Sequence, residues 1–361
     1  MWNAAFGWGG KGHQIINGNF EKFLPDSLQF LSAQTPYFVA HASDADHRRS
    51  SDPTEDPKHF IDVDYYPEFL SGTLPHDYDS LCAEYGSGTV IDKGILPWAI
   101  NATYGSLVTY MVNEDWENAY RAIADLGHYV GDAFQPLHCT QNYNGQMTGN
   151  GGIHFRYETD FLRECEDSIS MGPAMPADQI DTAPLEFAFR IIGESNSSVQ
   201  AILDADTYAK GIDPTYQSAY YTAMWSKVGE LTNAQLRGAC QALAALVYSA
   251  WQAAGSASVT RVLSPTVAGT FLISDLYPNP FNPSTNFSIT IPSGSKQSLT
   301  RVAVYSPVGS LVRSEVRELS PGANFVSLDL SGCASGVYLI VVNENGAGRI
   351  NRRTLKAVLL K

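Results

Sequence analysis

Three common features are missing from this 361-residue sequence: a long apolar run, a CxxC pair and an internal repeat. Without about twenty consecutive apolar residues, no segment is expected to span a membrane. The five cysteines include no CxxC pair, which excludes a zinc ribbon and a thioredoxin-type motif, and their odd number leaves at least one thiol unpaired within the chain. Apolar residues make up 44% and charged residues 17%, as is typical of a folded protein rather than a disordered one.

Basic residues are scarce in the larger, N-terminal part of the chain. The formal net charge is −14, yet residues 256–361 hold ten Lys and Arg against five Asp and Glu, so the first 255 residues carry −19. So acidic a surface repels polyanions and argues against sequence-independent binding to duplex DNA. A nucleic acid substrate is not excluded, because bound metal ions would reverse the potential locally.

Histidines and carboxylates follow one another in an ordered series that predicts a metal centre. The series is His13, Asp46, His59, His128, Asp132, His138, His154 and Glu158. His128 with Asp132, and His154 with Glu158, lie four residues apart, so on a helix each pair would share a face and could hold one ion. A single pair of this kind is usually an exposed ion pair, whereas two pairs with another histidine between them indicate a metal site.

The ligand types predict the metal and its chemistry. Imidazole and carboxylate without thiolate suit zinc in a site that keeps a position for water. The series offers more ligands than one zinc ion uses, so we expect at least two ions, and three if one acid bridges two of them. Metal-assisted hydrolysis needs a water made acidic and cations that absorb charge on phosphoryl or acyl oxygens, and clustered ions supply both.

Residues 8–255 are expected to form an all-α domain. Apolar residues recur at helical spacing near residues 116–132, 184–203 and 234–254. Residues 142–152 are rich in Gly and Asn and predict a loop between His138 and His154, which would let the second helix fold back on the first.

The composition and the apolar pattern of the sequence change after Gly255. Residues 256–266 are expected to be a linker rich in Ser, Thr and Val. In residues 267–361, short alternating segments are separated by turns rich in Pro, Gly, Asn and Ser, which predicts a small antiparallel β-sandwich.

Six short motifs of the first domain occur in order along the chain. They are Trp8-Gly-Gly-Lys-Gly-His13, Ala45-Asp46, His59-Phe60-Ile61-Asp62, His128-Tyr-Val-Gly-Asp132, Gln135-Pro-Leu-His138 and His154-x-x-x-Glu158. Together they resemble the superfamily of bacterial zinc phospholipases C and fungal single-strand nucleases. The resemblance covers roughly residues 8–158, and the helical remainder to about residue 255 is compatible with it.

The resemblance implies a mainly helical fold with three zinc ions. One ion would be held by Asp46, His59, His128 and Asp132. A second would be held by His138, His154 and Glu158. The third would be bound by His13, by a shared Asp132, and by the free α-amino and carbonyl groups of Trp8.

Trp8 departs from the pattern of this superfamily because seven residues precede it here. A peptide nitrogen is not a usable amine ligand, so the third site requires a cut between Gly7 and Trp8. Ala5 and Gly7 are small residues at the positions that signal peptidases require before such a cut. We therefore expect residues 1–7 to be a signal-peptide remnant that is removed.

The resemblance leaves the substrate open between a lipid and a nucleic acid. Glu158, preceded by Tyr157, resembles the phospholipases, whereas the fungal nucleases carry Asp there. Phe60 and Asp62 match positions that the nucleases use to stack on and hydrogen-bond a base, and Arg49 matches their phosphate-contacting arginine. Phe60 would also suit a choline headgroup through a cation–π contact, or could simply pack, and Arg49 could be a surface charge.

Three functions follow in order of expectation. The first is a secreted zinc phosphoesterase of the phospholipase C type, because the segment from His128 to Glu158 most resembles the bacterial enzymes. In it Asp46 would take or orient the proton of the attacking water. The second is a single-strand nuclease or 3'-nucleotidase with the same three-zinc site. The third is a non-catalytic metal-binding surface protein.

The C-terminal domain carries its own motifs. These are Leu276-Tyr-Pro-Asn-Pro-Phe-Asn-Pro-Ser-Thr285, Val304-Tyr-Ser-Pro-Val-Gly309, Ser335-Gly-Val-Tyr338 and Leu355-Lys-Ala-Val-Leu-Leu-Lys361. They resemble the C-terminal sorting domain of the type IX secretion system, which implies contact with that machinery and a secreted or cell-surface location. The rival interpretation is a carbohydrate- or partner-binding sandwich. We expect the protein to be a monomer.

Overall fold

The computed structural model describes residues 8–256, and beyond them residues 272–273, 276, 279–291, 298–306, 310–320, 322–346 and 349–361. The chain divides into two compact units, residues 1–259 and residues 260–361. The predicted signal-peptide remnant and all but the first residue of the predicted linker lie outside the described residues.

The first unit is built from helices, which confirms the all-α class predicted for it. They are α1 Gly9–Asn19, α2 Thr35–Ala40, α3 Asp44–Arg48, α4 Pro67–Ser71, α5 Tyr78–Tyr85, α6 Ser87–Asp92, α7 Leu96–Val112, α8 Trp116–Ala133, α9 Ile153–Phe155, α10 Leu162–Glu164, α11 Pro184–Ser197, α12 Val199–Ile212 and α13 Ser218–Ala253. Short 3₁₀ turns connect several of them, and a π-helical turn, Arg156–Phe161, joins α9 to α10. Among the described residues no helix has the length and apolar character needed to cross a membrane.

Helix α8 carries two of the predicted ligands into the interior. The Asp115 carboxylate caps its start by accepting a hydrogen bond from the backbone N–H of Asn118 at 3.3 Å. From Leu126 to Ala133 every residue is buried, so the second half of the helix is enclosed on all sides. A buried polar group needs a partner, so the polar residues of this half must face other polar groups of the interior.

Helix α1 lies unusually close to α8 because two glycines face it. A Cβ atom at Gly127 would come within 1.8 Å of Asn17 Oδ1, and one at Gly131 within 3.0 Å of His13 Nδ1. The two glycines are four residues apart on α8, as are His13 and Asn17 on α1, so the two rows run along one contact. This close approach brings His13 to the buried end of α8.

The long helix α13 is the centre of the first unit. It spans 36 residues and packs against α1, α7, α8 and α12. The sequence predicted only its second half, and it predicted α11 and α12 as one helix, whereas the chain breaks between them at Ser198.

The second unit consists of antiparallel strands in two sheets. They are β1 Leu272–Ile273, β2 Ser284–Ile291, β3 Ser298–Tyr305, β4 Leu311–Leu319, β5 Gly322–Asp329, β6 Gly336–Gly346 and β7 Arg349–Leu359. One sheet has the order β1-β2-β5 and the other β4-β3-β6-β7. Apolar side chains of both sheets, among them Ile289, Val304, Leu328 and Ile340, form one buried core, which confirms the predicted sandwich.

Candidate metal centre

The eight histidines and carboxylates of the predicted series lie together in the interior of the first unit. None of them is more than 6% exposed. They form three groups in which one ligand atom of each residue lies within 4.8 Å of the others. The groups are His13, His128 and Asp132; Asp46, His59 and His128; and His138, His154 and Glu158.

The carboxylate of Asp132 lies where the groups meet. Its Oδ1 is 3.5 Å from His13 Nε2 and 3.5 Å from His138 Nδ1. Its Oδ2 is 3.1 Å from His59 Nδ1 and 3.4 Å from His128 Nε2. One side chain on α8 therefore contacts a histidine of every group, although it meets His138 at Nδ1 and not at the ring nitrogen that faces the third group.

In the second group three ligand atoms converge. His59 Nδ1 and His128 Nε2 are 3.0 Å apart, and Asp46 Oδ1 lies 3.6 Å and 3.7 Å from them. Asp46 reaches this position from α3, and His59 from the end of a 3₁₀ turn, Asp56–His59. Helix α8 supplies the third ligand.

The third group is a separate triangle of the same size. His138 Nε2 and His154 Nε2 are 3.1 Å apart, and Glu158 Oε2 lies 3.5 Å and 3.0 Å from them. His154 and Glu158 share a face, as their spacing predicted. The backbone differs from the prediction, because Glu158 lies in the π-helical turn rather than in an α-helix.

Backbone carbonyls orient three of the rings. The carbonyl oxygens of Ala42, His59 and Tyr143 accept hydrogen bonds from Nδ1 of His128, His138 and His154 at 2.8, 2.6 and 3.2 Å. A ring that donates from Nδ1 keeps the lone pair of Nε2 free, and Nε2 is the atom that each of these rings turns toward its group.

His59 is oriented the other way round. Its Nδ1 faces the centre, and its Nε2 lies 3.8 Å from Oε1 of the buried Glu55. Glu55 accepts hydrogen bonds from the Tyr129 hydroxyl and from Lys58 Nζ, the latter at 2.7 Å, and pairs with Arg48. Neither Glu55 nor its partners was singled out in the sequence, because nothing in the local pattern marks them.

Many polar atoms of the centre have no hydrogen-bond partner within the described part of the chain. They are both ring nitrogens of His13, both carboxylate oxygens of Asp46, Nε2 of His59, Oδ1 of Asp132 and both carboxylate oxygens of Glu158. Burying such atoms without a partner costs roughly 1–3 kcal/mol each. A shared cation would satisfy them together, so the donor set fits metal ions of the kind that oxygen and imidazole ligands prefer.

Burial sets the protonation of the centre. It lowers the pKa of His13 and His59 well below the usual value, and lowers that of His138, so these rings are neutral near pH 7 and can donate a lone pair. Burial, reinforced by the charge of Asp46, raises the pKa of Asp132 well above its usual value. A bound cation would also favour the neutral rings, and it would offset the rise in the pKa of Asp132 and keep that carboxylate ionised.

Trp8 lies beside the segment that carries Glu158. It is fully buried, its ring centre is 5.6 Å from that of Tyr157, and its carbonyl accepts a hydrogen bond from the N–H of Gly12 at 3.0 Å. Gly9 is packed so closely here that a Cβ atom would lie 3.2 Å from the Glu158 carbonyl oxygen. Coordination by Trp8 stays a prediction.

Arg49 is tied to the centre through Asp46. Its Nη1 lies 3.5 Å from Asp46 Oδ1, and its Nε donates to Asp56 Oδ1 at 2.8 Å. The guanidinium thus lies beside one of the predicted ligands.

Phe60 and Asp62 follow His59 along the chain. Phe60 has an extended backbone, is partly exposed, and is not among the side chains that pack against the core. The Asp62 carboxylate lies 3.5 Å from Lys93 Nζ, which in turn lies over the Tyr65 ring at 4.9 Å. Burial raises the pKa of Asp62 to about 6, although Lys93 opposes that rise.

Comparison with known proteins adds information on the second unit. Residues 275–356 match the family described as "Secretion system C-terminal sorting domain". A search of curated proteins finds no match.

Two solved structures are similar over nearly the whole chain. The alpha toxin from Clostridium absonum is 10% identical, with a TM-score of 0.39 and coverage of 99% of this chain and 98% of the toxin. The alpha-toxin of Clostridium perfringens from avian strain SWCP is 11% identical, with a TM-score of 0.41 and coverage of 99% of both chains. Similarity this low carries no argument about function. The sorting-domain match, by contrast, confirms what the motif Leu276–Thr285 predicted for the C-terminal unit.

Proposed function

We propose that the first unit is a metal-dependent hydrolase of phosphoric esters, with zinc as its metal. The observation that carries the proposal is the clustering of three buried histidine–carboxylate groups around Asp132, with several of their lone pairs unsatisfied by the described protein. Imidazole and carboxylate ligands without thiolate favour zinc over softer metals.

The side chains would hold the ions in the sets that the resemblance implies. Asp46, His59, His128 and Asp132 would hold one, His138, His154 and Glu158 another, and His13 with the shared Asp132 a third, completed by the carbonyl and amine of Trp8 if its amine is free. Bound zinc would acidify water and offset the charge that develops on phosphoryl oxygens. Asp46 would accept or orient the proton of the attacking water, and Arg49 would bind a phosphate oxygen.

A phospholipid is the first substrate that we propose. Glu158 preceded by Tyr157 supports it, because this pair resembles the phospholipases C. A single-stranded nucleic acid is the second candidate, and a specific observation favours it. The Phe60 residue lies outside the core and is partly exposed, where a base could stack on its ring, with Asp62 two residues further along the chain.

The experiment compares zinc-loaded protein on phosphatidylcholine vesicles and on single-stranded DNA, with and without a chelator. We expect diacylglycerol release that the chelator abolishes and added zinc restores. Nucleotide release with inert lipid would establish the second candidate instead. Zinc binding without hydrolysis of either substrate would mean a protein that only binds metal.

A pair of histidine variants shows whether the centre is responsible. His154→Ala removes a ligand of the third group and is expected to abolish most activity. His76→Ala is the matched control, since His76 is partly exposed and pairs with Glu186 outside the centre. Equal activity of the two variants would contradict the assignment of the centre.

For the second unit we propose export through the type IX secretion machinery to the cell surface or the medium. The sorting-domain match at residues 275–356 supports it. Deletion of this unit is expected to keep the protein inside the cell, as fractionation of the producing bacterium would show. Unchanged export would favour a binding sandwich.

A further inference from the structure

A buried carboxylate outside the metal centre holds the segment that carries two of its ligands. Asp206 on α12 is fully buried. It accepts hydrogen bonds from Asn150 Nδ2 at 2.6 Å, Arg156 Nη2 at 2.9 Å and the Tyr220 hydroxyl at 2.5 Å, and it pairs with Lys210 Nζ at 2.7 Å. Burial favours the neutral acid, but hydrogen bonds from these four groups lower the pKa of Asp206, so it is ionised at neutral pH.

The first connection to the metal centre runs through Arg156. This residue lies midway between His154 and Glu158, and side chains two positions apart on a helix point away from each other. Besides Asp206, its guanidinium donates to the Gly151 carbonyl oxygen at 2.9 Å. Arg156 also begins the π-helical turn, a rare conformation that is frequent at functional sites. The hydrogen bonds of Arg156 lie on the side of the turn opposite His154 and Glu158. They therefore fix the orientation of the turn that carries both ligands.

The second connection runs through the loop at residues 142–152. Asn150, bonded to Asp206, donates its backbone N–H to the Gly145 carbonyl oxygen at 2.9 Å, which closes the loop on itself. The same loop supplies the Tyr143 carbonyl that orients His154 through its Nδ1. Asp206 thus reaches His154 from two directions.

We propose that Asp206 is a positioning residue of the metal centre. Through Arg156 and Asn150 it sets the orientation of His154 and Glu158. It thereby sets the metal affinity of the third group, which these two residues form with His138. A buried ion pair often selects one conformation rather than adding stability. Here the conformation selected is that of the π-helical turn. The inference rests on the proposed function, because it requires that this group bind a metal ion.

The test measures zinc stoichiometry and dissociation constants by competition with a chromophoric chelator, on the full chain. Asp206→Asn keeps the size of the side chain and removes its charge. Its matched control is Asp213→Asn, because Asp213 directly follows α12 and likewise accepts hydrogen bonds, from the backbone of Thr215 and Gln217, both at 2.9 Å. Thermal unfolding in excess chelator gives the stability of each variant without zinc.

We expect Asp206→Asn to bind one zinc ion 10- to 100-fold more weakly while the other ions bind as in the wild type, the size usual for loss of an outer partner. Asp213→Asn should lower the melting temperature and leave all zinc affinities unchanged. Arg156→Lys should behave as Asp206→Asn, since one ammonium cannot replace the planar fork.

Equal zinc affinities in Asp206→Asn and the wild type would overturn the inference, whatever the loss of stability. If that variant does not fold, Tyr220→Phe removes a single hydroxyl from the network, and a few-fold weaker binding of one ion is then expected. Unchanged affinity in Tyr220→Phe would overturn the inference in the same way. Absence of zinc from the wild type would instead contradict the proposed function itself.

Discussion

At the scale of single residues, two buried carboxylates lie behind the metal centre, Glu55 facing His59 and Asp206 bonded to Arg156. Two pairs of ligands, His128 with Asp132 and His154 with Glu158, were predictable from their spacing of four residues, and the others from the ordered series and from the motifs that resemble the superfamily. Glu55 contacts Tyr129, 74 residues away, and Asp206 contacts Arg156, 50 residues away. The spacing of apolar residues along the chain does not predict contacts between residues so far apart in sequence. Asp206 gave one signal, since it falls on the apolar face of α12, and a charge on such a face must find a partner.

Glu55 is expected to tune the second group through His59. A metal-binding imidazole generally donates its other N–H to an acceptor that fixes the ring, and Glu55 Oε1 is the carboxylate that faces His59 Nε2. We predict that Glu55→Gln weakens the binding of one zinc ion by about 10- to 100-fold, as measured by chelator competition. Glu68→Gln is the control, because Glu68 accepts a hydrogen bond from the Tyr85 hydroxyl away from the centre. Equal affinities in the two variants would contradict this role.

Asp62 is expected to make stability depend on pH. Its folded-state pKa of about 6 lies above the usual value, so its protonated form favours the fold. The contribution is full below about pH 4 and is lost as the pH rises through about 6. We predict that Asp62→Asn is more stable than the wild type at pH 7.5, by up to about 3 kcal/mol, and much less so at pH 4.5.

Urea unfolding of the metal-free protein at the two pH values measures this difference. Asp92→Asn serves as control, because Asp92 is exposed and also pairs with Lys93, at 3.3 Å. A stability difference that is the same at both pH values would contradict the assignment of this pKa to Asp62.

At the scale of elements, the sequence predicted helices where an apolar face is regular and failed where tertiary contacts decide. Helix α8 was predicted nearly in full. The break at Ser198 and the π-helical turn were not, since a helical period runs through both. In the second unit the alternating segments 287–291, 301–305, 325–330 and 337–342 predicted β2, β3, β5 and β6. The pattern did not predict β4 and β7, because β4 is mostly exposed and β7 contains a run of polar residues, so neither shows a clear apolar alternation.

The glycines of α8 are expected to be needed for the close packing of α1 at the metal centre and not for the formation of α8 itself. An Ala at Gly131 would place its Cβ 3.0 Å from His13 Nδ1 and from Ile16 Cδ1. We predict that Gly131→Ala lowers the free energy of unfolding by about 1 kcal/mol, since overpacking outweighs the gain in helix propensity, and that it weakens zinc binding.

The matched control is Gly105→Ala on α7, where a Cβ atom would meet open space. This change is expected to stabilise the protein by roughly 0.5–1 kcal/mol, because Ala restricts the unfolded chain. Urea unfolding and zinc titration of both variants measure the contrast. If both substitutions stabilise the protein, α1 moves to accommodate the methyl group at residue 131 without loss of stability, and the prediction is contradicted.

At the scale of the whole molecule, the two units differ in core, charge and chemistry. Each has its own set of buried apolar side chains, and the acidic and basic residues are divided unequally between them. The sequence predicted this division from the change of texture after Gly255, because turn residues and alternation are local signals. All eight side chains of the metal centre belong to the first unit.

Removal of the second unit is therefore expected to leave the first one intact. We predict that a chain ending at Ser256 keeps the zinc content and the hydrolytic rate of the full protein. Calorimetry should show one thermal transition for the shortened chain and two for the full chain. Loss of zinc on truncation would mean that the C-terminal unit supports the centre.

The central claim is that the buried histidines and carboxylates hold ions that hydrolyse phosphoric esters. Titrating zinc into chelator-stripped protein, while following cleavage of bis(p-nitrophenyl) phosphate, tests it most directly. We predict no cleavage without zinc and a rate that rises until two or three ions are bound per chain, in keeping with the three groups. A rate that does not depend on zinc, or saturation with zinc and no cleavage, would contradict it.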